Sequence, residues 1–237
     1  MRTTDRLEFL SDLYRTHAEA LAAVVAQQQE FLAAHPEAVT PQLDDVEAEL
    51  TYLLLRHHRP AQVVEIGTFH GWSTTWILSA LRDNDLAHPP GGHLHSFDRV
   101  DHARRTVPAP LADGRWTFHQ GDLRDTVDRV PPDTGYLFVD ADHGRRFARW
   151  YLDTLFPRIA SGTPTSVHDV FHLRWVRPWT EGSEVVRWLD ERGVEWFTAA
   201  RPAARPTLGE LDAVRAELGI TGARGTARNP MIWFEMP

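Results

Sequence analysis

Two segments of this chain run from apolar residues straight into groups that a divalent cation would bind. They are Phe138-Val139-Asp140-Ala141-Asp142-His143-Gly144 and Ser166-Val167-His168-Asp169-Val170. If the apolar parts are adjacent strands, about 5 Å apart, Asp140 and Asp169 can converge on one ion. Hard cations such as Mg2+ take oxygen donors and keep several waters. Imidazole suits Mn2+, Fe2+ or Zn2+ better, so either His168 stays off the ion or the ion is a softer one. Asp140 and Asp169 could also do no more than line a pocket. His143, three residues past Asp140, is a base candidate, because imidazole accepts a proton near neutral pH. Asp142 competes for that role. With 13 histidines in the chain, position rather than residue type singles out His143.

A third segment, Val63-Val64-Glu65-Ile66-Gly67-Thr68-Phe69-His70-Gly71-Trp72-Ser73-Thr74, joins an apolar run to a glycine loop. Gly67 permits a sharp turn and lets a ligand approach the backbone; Gly71 repeats this four residues on. A helix opened by Ser73-Thr74 would aim its amides and positive end at an anion. The dinucleotide pattern G-x-G-x-x-G is not met, and the phosphate loop G-x-x-x-x-G-K-[ST] is absent. Glu65 could face an ammonium group, so the loop suits a zwitterion such as an amino-acid moiety. Glu65 could equally be a buried carboxylate with only a structural job, and Asp98 a helix cap.

Aromatic residues surround these segments. Phe171, His172, Trp175 and Trp179 follow the second acidic segment in a Pro-containing loop, and Trp72 and Trp76 open the helix after the glycine loop. Aromatic faces suit sugars or flat polycyclic substrates, so Trp72, His172, Trp175 and Trp179 are candidate substrate contacts. Trp76, Trp150 and Trp188 are better read as helix packing.

The elements that must position these groups follow from periodicity. Apolar residues spaced three and four apart predict a helix from Asp5 to Ala34, ended by His35-Pro36, and another from about Gln42 to His57, closed at Arg59-Pro60. Short apolar runs then predict strands at 61–66, 93–97, 116–119, 136–139, 165–168, 194–198 and 231–235. Helices are expected from about Ser73 to Arg82, through Trp150 and Leu155, from Ser183 to Glu191 and near Leu208 to Leu218. Alternating strands and helices imply a parallel sheet covered on both faces, which the late strands could end with an antiparallel pairing. The division expected is a helical segment over 1–59 and an α/β domain over 60–237.

The glycine-loop segment resembles motif I of the class I, S-adenosylmethionine-dependent methyltransferases, in the form used by small-molecule O-methyltransferases. The resemblance runs from about Val63 to Val170. It implies a Rossmann-like, doubly wound, mainly parallel seven-stranded sheet with one antiparallel strand near the C-terminus. It also implies S-adenosylmethionine at Glu65, Gly67, Thr68, Phe69, Gly71, Ser73, Asp98, Arg99, Asp122, Leu123 and Asp140. In the family an acid placed as Asp98 accepts the ribose hydroxyls, and one placed as Asp122 lies near the adenine amino group. The acidic strand ends resemble the metal-dependent O-methyltransferases that tailor natural products, which implies Mg2+ or Mn2+ at Asp140, His168 and Asp169. His168-Asp169 departs from the acidic pair those enzymes carry at this point. The family uses the N-terminal helices as a lid or a dimer surface, so a homo-oligomer is implied.

Composition bounds the alternatives. The net charge is -8 and lysine is absent, so no basic stripe suggests nucleic acid and a small-molecule substrate is expected. There is no cysteine, no apolar run long enough to cross a membrane and no evident signal peptide, so a cytoplasmic protein is expected. An NAD-dependent oxidoreductase is disfavoured by the glycine spacing. A metal-independent N- or C-methyltransferase, or a binding protein that keeps only the cofactor site, remains open.

Overall fold

The computed structural model describes residues 3–36, 43–172, 175–199, 205–222, 224 and 231–237. The apolar runs form seven strands: β1 (Gln62–Ile66), β2 (His93–Asp98), β3 (Trp116–Gln120), β4 (Tyr136–Val139), β5 (Pro164–Val167), β6 (Trp196–Phe197) and β7 (Ile232–Glu235). They make one sheet in the order β3-β2-β1-β4-β5-β7-β6. β1 to β5 are parallel, and β7 runs antiparallel to β5 and β6. This is the expected doubly wound, Rossmann-like sheet with one reversed strand. The strand order reverses between β1 and β4, and at such a switch point ligands bind beyond the carboxyl ends of the strands. The N–H of Asp140 donates to the Ile66 carbonyl, closing β4 against β1 there. β6 is shorter than the run 194–198 suggested.

The helices are α1 (Thr3–Thr16), α2 (Ala18–Ala34), α3 (Asp45–His58), α4 (Trp72–Ala87), α5 (Ala103–Thr106), α6 (Ala109–Ala112), α7 (Leu123–Thr126), α8 (Arg145–Thr154), α9 (Glu181–Glu191) and α10 (Arg205–Glu217). The single helix expected over 5–34 is interrupted at His17. Its amide still donates to Leu13 and its carbonyl still accepts from Leu21, so the apolar spacing carries no sign of the break. α3 starts at Asp45 because Asp44 caps it: the Asp44 carboxylate accepts from the Glu47 amide, and the Glu47 carboxylate from the Asp44 amide. The start expected at Gln42 lies outside the described residues.

Strand alternation sorts the core into two layers. Val63, Leu94, Tyr136 and Phe138 pack with α1 to α4, while Val64, Ile66, Leu137, Val139 and Val167 pack with α8 and α9. Helices α1 to α3 therefore share a core with the sheet, through Leu50, Tyr52, Leu53 and Leu55 of α3 against Trp72, Trp76 and Ile77 of α4.

Candidate active site

The loop after β1 is drawn tight by its glycines. Gly67 has φ 89°, and a Cβ there would lie 1.9 Å from the Asp140 carbonyl oxygen. No other residue fits between the ends of β1 and β4. Gly71, with φ 83°, is the N-cap of α4. Beyond this loop opens a cleft of about 440 Å3, bounded by the ends of β1, β2, β3 and β4. Gly67, Thr68, Phe69 and Ser73 form one wall; Asp98, Arg99, Asp122 and Leu123 form the next. Asp140, Asp142 and His143 close the far side.

Of the residues expected to hold a cofactor, Glu65 and Gly71 do not line the cleft. Glu65 points into the layer under α4 and is wholly buried. Its carboxylate accepts hydrogen bonds from Ser73 Oγ (2.7 Å), Thr74 Oγ1 (2.9 Å) and Ser96 Oγ (2.6 Å). Burial pushes its carboxyl up to about 7. The ammonium contact expected of Glu65 is therefore replaced by a structural anchor for the start of α4. Asp98 Oδ2 accepts from the amides of Thr68 (2.7 Å) and Phe69 (2.8 Å) and from Thr68 Oγ1 (2.9 Å), while Oδ1 accepts from Val100 N (3.0 Å). Asp122 caps α7 through the Arg124 amide and pairs with the Arg124 and Arg99 side chains. The Arg124 hydrogen bonds hold its carboxyl at about 2.

The acidic strand ends meet as their spacing predicts, through the parallel pairing of β4 and β5. Asp140, His143 and Asp169 each offer a ligand atom, all within 4.8 Å of one another. His143 Nε2 lies 3.0 Å from Asp169 Oδ2 and 4.0 Å from Asp140 Oδ1. On its other side, Nδ1 donates to Glu181 (3.2 Å), a buried residue of α9. Burial opposes the imidazolium, but the hydrogen bond to Glu181 and the nearby Asp169 and Asp140 outweigh it and raise His143 to about 9. Asp142 instead closes a turn, accepting from the Gly144 amide (2.8 Å). His168 stands behind the cluster, with Nδ1 3.5 Å from both Asp140 Oδ1 and Asp169 Oδ1. That Nδ1 is buried and has no hydrogen-bond partner among the described residues. Carboxylates with an imidazole, beside an unpartnered nitrogen, are a donor set that fits a divalent cation.

The aromatic expectations divide. Trp72 is not a substrate contact: it is wholly buried, donates through Nε1 to the Leu43 carbonyl (3.2 Å) and stacks on Phe31. Trp76 and Trp188 are buried packing residues, and Trp150 stacks on Phe147. Trp175 and Trp179 are 66% and 75% exposed, and neither lines the cleft. His172 pairs by backbone with Trp175.

A profile of the methyltransferase domain family matches residues 64–170. Among solved structures, the chain is similar to the O-methyltransferase TomG of Streptomyces achromogenes, involved in tomaymycin synthesis and solved with S-adenosylmethionine. The identity is 18%, covering 100% of this chain and 99% of that one, with a TM-score of 0.56. It is also similar to the O-methyltransferase of Bacillus cereus in complex with SAH, at 14% identity over 92% of this chain and 91% of that one, with a TM-score of 0.57. No functionally curated protein matches the chain. Residues 64–170 thus match a methyltransferase domain, and the sheet has the fold of these O-methyltransferase structures.

Two buried acids of the site escape a reading of the sequence. Glu181 follows Thr180, whose side chain caps α9, so the visible signal is a helix start and not a partner for His143. Glu47 lies in the capping box of α3, and its contact with His168 joins residues 121 positions apart. Among the described residues, no helix is long and apolar enough to cross a membrane.

Proposed function

We propose that this methyltransferase transfers the methyl group of S-adenosylmethionine to a hydroxyl oxygen of a small molecule, with a divalent cation at Asp140 and Asp169 and His143 as base. One observation carries this reading. Asp140 and His143 line the same cleft as the glycine loop and Asp98, so a donor bound there faces the acidic cluster directly. The sulfonium supplies an activated methyl group, and a divalent cation, when bound, makes a coordinated hydroxyl more acidic.

The chain's own residues do the rest. Glu181 holds the Nδ1 proton of His143, and Nε2 would be free to take the hydroxyl proton only once a cation neutralises Asp140 and Asp169, the two acids that otherwise keep a proton on it. Thr68, Phe69 and Asp98 fix the wall against which the donor lies, and transfer in line from sulfur to oxygen then depends on alignment and exclusion of water. The net charge of -8 and the lack of lysine agree with a small substrate and not a polyanion.

Calorimetry with S-adenosylmethionine and with NAD tests the core of this reading: the sulfonium is expected to bind and NAD is not, and the reverse overturns it. With a hydroxylated acceptor panel, EDTA and Asp169→Ala should each abolish turnover. His143→Ala should lower turnover by about 10²–10⁴-fold near pH 7. Turnover that survives EDTA and Asp169→Ala points to metal-independent N- or C-methylation instead.

A further inference from the structure

A second cavity, of about 630 Å3 against the 440 Å3 of the cleft, lies at the opposite edge of the sheet. Tyr136 and Pro164, the first residues of β4 and β5, border it, while Asp140 and Asp169 stand past the other ends of the same strands. The reversed strand β7 closes one side and the start of α1 another. The switch in strand order accounts for a ligand site at the carboxyl edge but not for a cavity here.

Its walls are aromatic and its covered charge is a cation. Phe197 and Trp233 stack with ring centres 5.0 Å apart, and Phe9 meets His57 edge-on at 4.9 Å. The Arg6 guanidinium lies 5.0 Å from the centre of the Phe197 ring, and the Arg6 side chain is 19% exposed. Its ion pair is a long one, 3.6 Å to a Glu195 side chain that is 71% exposed. Such a pair contributes little. A guanidinium carries five N–H donors in a rigid fork, and among the described residues none of the five makes a hydrogen bond. The other guanidinium of the lining, Arg192, is engaged: it covers the Trp188 ring at 4.3 Å and donates to the Trp188 carbonyl (3.3 Å). The acids that border the cavity, Glu195 and Glu235, are exposed.

We propose that this cavity is a second ligand site and that it takes a planar aromatic carboxylate. The ring lies against Phe9, Phe197 and Trp233, where aromatic faces and edges pair well. The carboxylate takes the fork of Arg6, which matches it with two parallel hydrogen bonds, and displaces the weak pair with Glu195. One available guanidinium suits a singly charged group better than a phosphate dianion. Mostly apolar walls with one placed charge, in a cavity of this size, are the usual form of a small-molecule site. The occupant is bound and not methylated, because the glycine loop lies past the far edge of the sheet. The inference depends on neither the cation nor the acceptor proposed above.

The probe is 2-naphthoate, with 2-naphthamide as its uncharged counterpart, titrated calorimetrically into the full chain. Wild type should bind the acid about 10-fold or more tighter than the amide. Arg6→Gln should weaken the acid by about 10–100-fold and leave the amide unchanged. In protein labelled with 15N at tryptophan, 2-naphthoate should shift the indole resonance of Trp233 and leave that of Trp72 in place. This measurement on wild type decides the matter if Arg6→Gln does not fold. An acid that does not bind, an amide that binds equally well, full affinity in Arg6→Gln or an unmoved Trp233 resonance each overturns the inference. Methyl transfer in the cleft stands in every case.

Discussion

Glu65 shows how the fold chooses between two roles that the sequence leaves open for one acid, a ligand contact or a buried structural carboxylate. Its position before the glycine loop is that of a ligand-binding acid, yet the alternation of β1 turns it to the inner face. There Ser73, Thr74 and Ser96 surround it, and Ser96 is in turn bonded by Trp116 Nε1. Burial raises its carboxyl from an ordinary 4.5 to about 7. Between those two values the folded chain holds a proton that the unfolded chain has lost. Stability is therefore greatest below pH 4.5 on this account and declines as pH rises through 7, by at most about 3 kcal/mol. Glu65→Gln should flatten that decline. Urea unfolding at pH 5 and pH 8 measures it, and an unchanged pH dependence in the variant would rule the account out. The place of His143, by contrast, was legible, because three residues past a strand end is a local relation.

At the scale of elements, two glycines set two different distances. Gly67 lets the end of β1 touch Asp140, and Gly182 lets the start of α9 touch Val170, where a Cβ would lie 1.9 Å from its carbonyl oxygen. The second contact carries Glu181 to His143. Gly67→Ala should cost more than about 1 kcal/mol and lose S-adenosylmethionine binding. Gly182→Ala should keep that binding and lose turnover, because it displaces the partner of the base and not the donor wall. Calorimetry beside a turnover assay separates them; identical losses in both variants would show that the two contacts do not act independently. The strands were legible from apolar runs, and one reversed strand near the C-terminus from the family resemblance. Docking partners were not. Periodicity says that a face is buried without saying what covers it, so Trp72 read as a substrate wall when its neighbours are Leu43 and Phe31.

For the molecule as a whole, the same point bears on residues 1–59. The end of α3 was readable at Arg59-Pro60, where Arg59 takes a left-handed conformation. The layer they cover was not. Trp72, Trp76, Ile77 and Leu81 of α4 share their core with α1 to α3. Deleting residues 1–58 should leave a chain that does not melt cooperatively and lacks near-ultraviolet circular dichroism. A sharp thermal transition in the shortened protein would contradict this. Trp72→Ala in the full chain should cost about 3–5 kcal/mol.

The Asp98 carboxylate already has four donors on it, three of them from the loop at Thr68 and Phe69. Two carboxylate oxygens offer about four acceptor positions in all. Three of those donors crowd Oδ2, so a vicinal diol that bridges both oxygens must displace one of them there, while Oδ1 has room for one hydroxyl. The loop holds the seat that its guest takes, so occupancy should quicken, not slow, the exchange of the Thr68 and Phe69 amide hydrogens with solvent. Slower exchange at both amides on adding the nucleoside would show that the seat is shared. On this view the free enzyme is kept in shape by a rehearsal of its own ligand contacts.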